Sequence, residues 1–297
     1  MTATPSRLRV VLDTDTFNEV DDQFALAHLL LSPKQVDLEA VYAAPFFIPG
    51  RCADPADGME KSHEEILRVL EKVKTPRPPR VFRGSKSYLP AAGRPVESPA
   101  ALDLVERALS AKEGKLHVLG IAVATDIASA LLMEPKIADR IVIVWLGGHA
   151  PYWSDTQEFN LGQDLHAARV LLDTDVPLVL LPCVPVTSHL LVTIPELEKE
   201  LAPYSPLGAY LTDIVRGYGK GAAPGWSKPI WDIAASAWAV NHDWVPAVPA
   251  LSPVLMDNLT WDLQPRRRRI EIAREVNRNA IFADFFAKAR QSGTATG

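Results

Sequence analysis

Between residues 13 and 22 the chain reads Asp-Thr-Asp-Thr-Phe-Asn-Glu-Val-Asp-Asp, so Asp13, Asp15, Asp21 and Asp22 crowd one short segment. The apolar run before it, residues 8–12, reads as a short buried strand, and residues 24–30 after it read as an amphipathic helix. The four carboxylates therefore belong to the turn after a strand, near the carboxyl edge where open α/β sheets bind ligands. Like charge at that density is unfavourable unless a cation or shared protons neutralise it. Two readings follow: a divalent-metal site built from hard oxygen ligands, or an acidic, solvated loop capping the next helix. The strand immediately before the turn favours the metal.

The rest of the chain alternates in the same way. Residues 36–44, 116–121, 141–146 and 177–181 look like strands, and 64–73, 100–111, 126–133 and 165–172 like helices. The alternation predicts an α/β fold, an open and mostly parallel sheet with helices on both faces. Residues 76–93 and 217–229, rich in Pro and Gly, read as surface loops within one domain spanning 1–297. Residues 188–218 look helical, and the region around 188–228 is a candidate cap over the sheet edge.

Composition narrows the function. A chain of 297 residues that is 47% hydrophobic can bury a sizeable core, and 23% charged residues give no sign of general disorder. The net charge of −5 offers no electrostatic footprint for nucleic acid. The one basic run, residues 266–269, reads as a solvated loop or helix edge. Two cysteines, Cys52 and Cys183, are too few for a disulfide framework. No apolar stretch approaches membrane-spanning length and no signal-peptide core precedes the first strand, so a cytoplasmic location is the expectation.

Four further segments place oxygen-bearing groups after a predicted strand. Residues 122–126, Ala-Val-Ala-Thr-Asp, could offer backbone carbonyls to a cation, or simply cap a helix at Thr125 or Asp126. Gly147-Gly148-His149 lets backbone approach a ligand closely. Glu158 and Asn160, two apart, would project to the same side of an extended segment and together suit a sugar diol. Asp232 opens the apolar segment 233–240, either as a carboxylate stabilised by the helix dipole or as the distant ligand of the metal site.

Taken in order, Asp-x-Asp, Asp-Asp-x-x-Ala-Leu, Thr-Asp-Ile-Ala, Gly-Gly, Glu-Phe-Asn-x-x-x-Asp-x-x-Ala-Ala and a late Asp at a helix start resemble the inosine-uridine nucleoside hydrolases, from Val11 to Trp238. The resemblance implies a calcium-dependent hydrolase that splits a ribonucleoside or related N-riboside into ribose and free base. By position, Asp15 matches the metal-bound aspartate that activates water, Asp22 and Asp232 match carboxylate ligands, and Thr125 matches a backbone-carbonyl ligand. Asp13 would orient these from behind. Asp21 and Asn160 match residues that hold ribose hydroxyls, and Glu158 the group near the 5′-hydroxyl. The resemblance also implies Ca2+ as the ion, a small-molecule substrate, and a homodimer or homotetramer.

Three departures from the pattern stand out. Five residues, 16–20, separate Asp15 from Asp21 where the family usually has three, which could bring Asn18 or Glu19 into the site. The family's asparagine after the second strand has no match in residues 43–47, leaving a ribose contact missing or supplied from elsewhere, such as residues 57–61. The histidine that often precedes the last aspartate is Trp231 here, so leaving-group help must come from another acid, with His149, Tyr152 and Tyr218 as candidates, or the leaving group must depart unaided. Trp231 itself could stack on a base. Weak activity on common purine nucleosides is the consequence. Two rival readings remain. One is a protein of the same fold that binds calcium and ribose without catalysis. The other is a phosphatase of the haloacid dehalogenase type, which would expect Thr or Val where Phe17 stands and has no use for Asp21-Asp22.

Overall fold

The structure, a computed structural model, describes residues 7–294 apart from 92 and 111–113. The elements run β1 (Leu8–Thr14), α1 (Asp22–Leu30), β2 (Val36–Ala43), α2 (Pro55–Val73), β3 (Arg80–Arg83), α3 (Pro99–Ser110), β4 (Leu116–Gly120), α4 (Thr125–Met133), β5 (Ile141–Leu146), α5 (Phe159–Gln163), α6 (Leu165–Asp173), β6 (Leu178–Leu181), β7 (Leu191–Val192), α7 (Ile194–Glu200), α8 (Pro206–Tyr218), β8 (Lys228–Pro229), α9 (Ile233–Val240), β9 (Ala247–Leu251), β10 (Val254–Leu255), β11 (Trp261–Asp262), β12 (Arg269–Ala273) and α10 (Arg278–Thr294).

The main sheet has the order β3-β2-β1-β4-β5-β6-β12-β9. Every pairing in it is parallel except β12 with β9 at one edge. This is the expected open, largely parallel mixed sheet with helices on both faces. Side chains along a strand alternate between those faces, and both are apolar. Val10, Leu12, Leu119 and Ile121 join a core with residues of α1, α9 and α10. Val11, Val118, Ile143 and Trp145 join a second core with α3, α4 and α6. Burial on both sides is why these strands read as continuous apolar runs. The chain winds outward from β1 to β3 and then crosses back to β4, so β1 and β4 flank the switch point of the sheet, where a crevice opens at the strands' carboxyl ends.

The structure corrects several sequence expectations. Helix α1 is buried at every one of its residues, not amphipathic, because α9 packs against it on the side that solvent would otherwise cover. Helix α2 begins at Pro55, well before residue 64: Asp54 caps it by accepting from the Asp57 N–H, and Pro55 occupies the first turn, where no N–H is missed. The 76–93 loop contains the edge strand β3, short and half-exposed, which lacked an apolar signal. Residues 188–218 are not uniformly helical, since β7 interrupts them and pairs antiparallel with β8. The basic run enters a strand rather than a helix edge, with Arg267 and Arg268 donating to the carbonyls of Leu172, Thr174 and Val176 and Arg269 starting β12. The predicted helix end at Ala111 lies outside the described residues. No helix among the described residues is long and apolar enough to cross a membrane.

Candidate active site

Strand β1 delivers the aspartates to the switch point and its neighbours hold its end in place. The Asp13 carbonyl accepts from the Ile121 N–H beyond β4 at 2.9 Å, and the Thr14 carbonyl from the Ala44 N–H beyond β2 at 2.9 Å. The Asn18 N–H donates to the Asp15 carbonyl at 2.7 Å and turns the chain. Thr14 Oγ1 donates to Asp22 Oδ1 at 2.5 Å, and Gln23 Nε2 to the Thr16 carbonyl at 2.7 Å, so the start of α1 is tied to the turn. Because α9 lies against α1, its leading residue Asp232 meets the same point from the far side of the sequence. One carboxylate oxygen from each of Asp21, Asp22 and Asp232 falls within 4.8 Å of the others.

All of these carboxylates are buried, Asp13 and Asp15 included. Both oxygens of Asp13, Oδ1 of Asp15 and Oδ2 of Asp22 have no hydrogen-bond partner among the described residues. Burial raises the pKa of each above the ordinary aspartate value, and neighbouring charge adds to it: Asp126 for Asp13, Asp22 for Asp15, Asp21 for Asp22 and Asp232. Asp22 is pushed to about 7. Asp21 is also raised by burial, with Lys228 opposing. A group of buried carboxylates with free oxygens costs several kcal/mol per ion unless positive charge compensates it. The donors are all hard oxygens, which suits a divalent cation of the calcium type.

The cluster opens into a cavity of about 370 Å³, the size of a small-ligand pocket. Asp21, Asp232 and Asn18 line one part of it. Asn18 Nδ2 donates to Asp15 Oδ2 at 2.9 Å, so this residue of the longer turn lies against Asp15 at the cavity wall. Glu158 and Asn160 line another part, but the segment is not extended. Glu158 caps α5, accepting from the N–H groups of Gly148 at 2.7 Å, Asn160 at 2.9 Å and Leu161 at 3.0 Å. Asn160 Nδ2 donates to the Leu146 carbonyl at 3.1 Å. Gly148 sits at φ +69°, and a Cβ there would lie 2.6 Å from Thr156 Oγ1, so the turn carrying this contact needs glycine.

Trp231 and His149 also face the cavity, the latter with an unpartnered Nδ1. Tyr152 is 74% exposed and does not line it, and Tyr218 donates its hydroxyl to Glu19 at 2.8 Å. Thr125 is buried at the start of α4 but is not among the lining residues; its Oγ1 donates to Asp164 Oδ2 at 2.7 Å, which leaves its backbone for any ligand role. Asp126 is no simple helix cap: its Oδ1 accepts from the Ser85 N–H and from the hydroxyls of Ser85 and Ser98. Residues 57–61 supply nothing to the cavity, since Asp57 bonds the Ala53 N–H and Lys61 within the first turns of α2. Sequence reasoning missed Ile48, Gln157, Cys183 and Val184 in the cavity wall, residues of loops with no motif to mark them, and it met Phe159 only as the middle of the Glu-Phe-Asn motif.

Comparison with known proteins agrees with this architecture. Among curated relatives, a putative pyrimidine-specific ribonucleoside hydrolase RihB of Shigella boydii is 28% identical over 159 residues, 50% of this chain and 64% of that protein. The corresponding hydrolase of Escherichia coli K12 is 28% identical over 50% of each chain. The chain thus matches about half to two thirds of the length of these relatives. Among solved structures, the plant nucleoside hydrolase PpNRh1 superposes with a TM-score of 0.76 at 17% identity, covering 96% of this chain and 99% of that one. A purine-preferring ribonucleoside hydrolase from Gardnerella vaginalis superposes with a TM-score of 0.74 at 21% identity, covering 97% and 99%. The family model of the inosine-uridine preferring nucleoside hydrolases matches residues 10–295, nearly the whole length, and the chain belongs to that family.

Proposed function

We propose that this chain hydrolyses the N-glycosidic bond of a ribonucleoside or closely related N-riboside, using a resident calcium ion. The observation that carries the reading is a cluster of buried carboxylates in which Asp21 and Asp232 line a cavity of small-ligand size while Asp13, Asp15 and Asp22 beside them keep oxygens without a partner among the described residues. Asp15, Asp22, Asp232 and the Thr125 carbonyl would hold the ion, with Asp13 orienting them from behind. Bound there, calcium supplies positive charge that orders the ribose diol and makes a nearby water more acidic.

The protein's own groups do the rest. Asp15 has one oxygen anchored by Asn18 and the other without a partner, so one oxygen fixes the side chain and the other is available to take a proton from the attacking water. General-base help of this kind contributes typically ~10²–10⁴-fold. Asp21 and Asn160 bind ribose hydroxyls. Glu158 accepts three backbone N–H groups and has the Cys183 thiol against it; a carboxylate has roughly four acceptor positions, and the 5′-hydroxyl would take the fourth in place of the thiol. The same carboxylates face the ribosyl carbon as it gains oxocarbenium character and stabilise that charge. Trp231, Phe159 and Ile48 give the leaving base an apolar wall.

The test is release of reducing sugar from a panel of purine, pyrimidine and modified ribonucleosides, with calcium and with chelator. Chelator-sensitive release is expected, with inosine turned over weakly. Calcium binding without sugar release from any nucleoside would instead identify a non-catalytic binder, and phosphate release from phosphomonoesters a phosphatase.

A further inference from the structure

Glu19, in the middle of the acidic turn, lines the cavity, and both of its oxygens are taken. Oε1 accepts from Tyr218 OH at 2.8 Å and Oε2 from Lys228 Nζ at 2.5 Å. Tyr218 is the last residue of α8 and Lys228 the first of β8, so the two ends of the intervening 219–227 loop are clamped on one carboxylate. The Lys228 side chain is 4% exposed, and its ammonium also donates to the Pro229 carbonyl at 2.7 Å and lies 3.6 Å from Asp21 Oδ1. On the other side of the turn, Arg51 Nε donates to the Phe17 carbonyl at 2.6 Å. Residues 17–19 are therefore gripped from two directions, and Asn18 and Asp21, between and after the grips, face the cavity together with Glu19.

We propose that Glu19, Lys228 and Tyr218 form a latch of positioning residues that docks the 206–229 segment onto the acidic turn and thereby sets how Asn18 and Asp21 meet the sugar. The inference rests on the ribosyl-hydrolase reading above. Its physical basis is that a buried ammonium keeps its place only where carboxylates face it. Burial works against the Lys228 charge, yet Asp21 and Glu19 more than offset this and hold its pKa above that of ordinary lysine. Removing Glu19 leaves the buried Lys228 ammonium with only the more distant Asp21 and the Pro229 carbonyl, and removing Lys228 leaves Glu19 held by Tyr218 alone, so the turn must rearrange. The metal ligands lie outside residues 16–20, and the turn touches the general base only through the Asn18 contact with one Asp15 oxygen, so substrate binding should suffer more than the chemical step.

The experiment compares wild type, Glu19→Gln, Lys228→Met, their double variant and Tyr218→Phe, all calcium-loaded. It measures kcat and KM for uridine together with calorimetric affinity for an imino-ribitol, a ring-nitrogen mimic of the ribosyl cation. Each single change at Glu19 or Lys228 should raise KM and weaken imino-ribitol binding about 10-fold while kcat falls no more than about 3-fold. The double variant should be no worse than the poorer single, since both remove one interaction. Tyr218→Phe, which deletes only a hydroxyl from a half-exposed ring, should give a smaller change in the same direction, about 2–3-fold, and keeps the test decisive if a buried variant fails to fold. Unchanged KM and imino-ribitol affinity in an active protein, or losses that add in the double variant, would overturn the latch alone. If wild type binds imino-ribitol but hydrolyses no nucleoside, the functional reading fails and the affinities still decide the latch. If wild type does neither, both fall together.

Discussion

Helices α1 and α9 pack against each other and carry buried polar residues at two places, with opposite outcomes. Where His28 meets α9, everything is matched: Nδ1 lies 3.0 Å from Ser236 Oγ and Nε2 lies 2.9 Å from Asp284 Oδ2, while Lys288 Nζ donates to that same carboxylate at 2.6 Å. Where the helices begin, Asp22 and Asp232 face Asp21 and Asp15, and one oxygen each of Asp15 and Asp22 is left without a partner among the described residues. Burial lowers the His28 pKa, against the opposing pull of the Asp284 carboxylate. Buried polar groups are nearly always paired in folded proteins, so a deficit confined to one end of a helix pair marks the end kept for a ligand. The matched end joins α1, α9 and α10, and the unmatched end faces the cavity.

The sharpest way to break this contrast is Asp15→Asn. It should reduce kcat by about 10²–10⁴-fold with little change in thermal stability, as measured by steady-state sugar release beside a melting curve. An amide that left turnover intact would remove the distinction between the two ends.

Cation removal comes next in expected size. Without calcium the folded chain holds protons on these aspartates that the unfolded chain, with ordinary values near 3.8, has released. Stability of the chelated protein should therefore be greatest at low pH and fall as pH rises from that value through about 7, where Asp22 titrates. Calcium at a hundredfold excess over its dissociation constant should restore about 2.7 kcal/mol and flatten the dependence. Urea titrations at several pH values, with and without chelator, check both.

The matched end behaves in the reverse sense. His28→Gln should cost roughly 1–3 kcal/mol and leave calcium affinity alone. Because the folded imidazole binds a proton less readily than the ordinary value of 6.5, its contribution is complete above that pH and is lost as pH falls below it. The stability gap between wild type and variant should narrow in acid. A gap that widened would mean that His28 is charged in the fold.

Much of this was legible beforehand because strand periodicity and carboxylate spacing are local signals. Apolar runs located β1, β2, β4, β5 and β6, and Asp13, Asp15, Asp21 and Asp22 marked the crevice that the topology later explains. Edge strand β3 was invisible, since Arg80 and Arg83 flank only two apolar residues. The all-round burial of α1 was equally hidden, because the helix that covers it lies some two hundred residues further along the chain. Within the site, residue types were readable but partners were not. Nothing near Lys228 in sequence announces that its ammonium lies beside Glu19 and Asp21, and the Gly148 turn explains Glu158 only once the three N–H groups are seen converging on it. Asn18 is intermediate. The length of the turn raised it as a candidate, and only the contact with Asp15 gives it a place.

The most direct test of the account is a calorimetric calcium titration of the wild-type chain beside Asp22→Asn and Asp232→Asn. Wild type should bind one ion per chain, with either substitution weakening affinity by at least about 10-fold. No heat of binding in wild type, or variants that bind as tightly, would contradict it, because the unpartnered carboxylate oxygens would then need some other explanation than a cation.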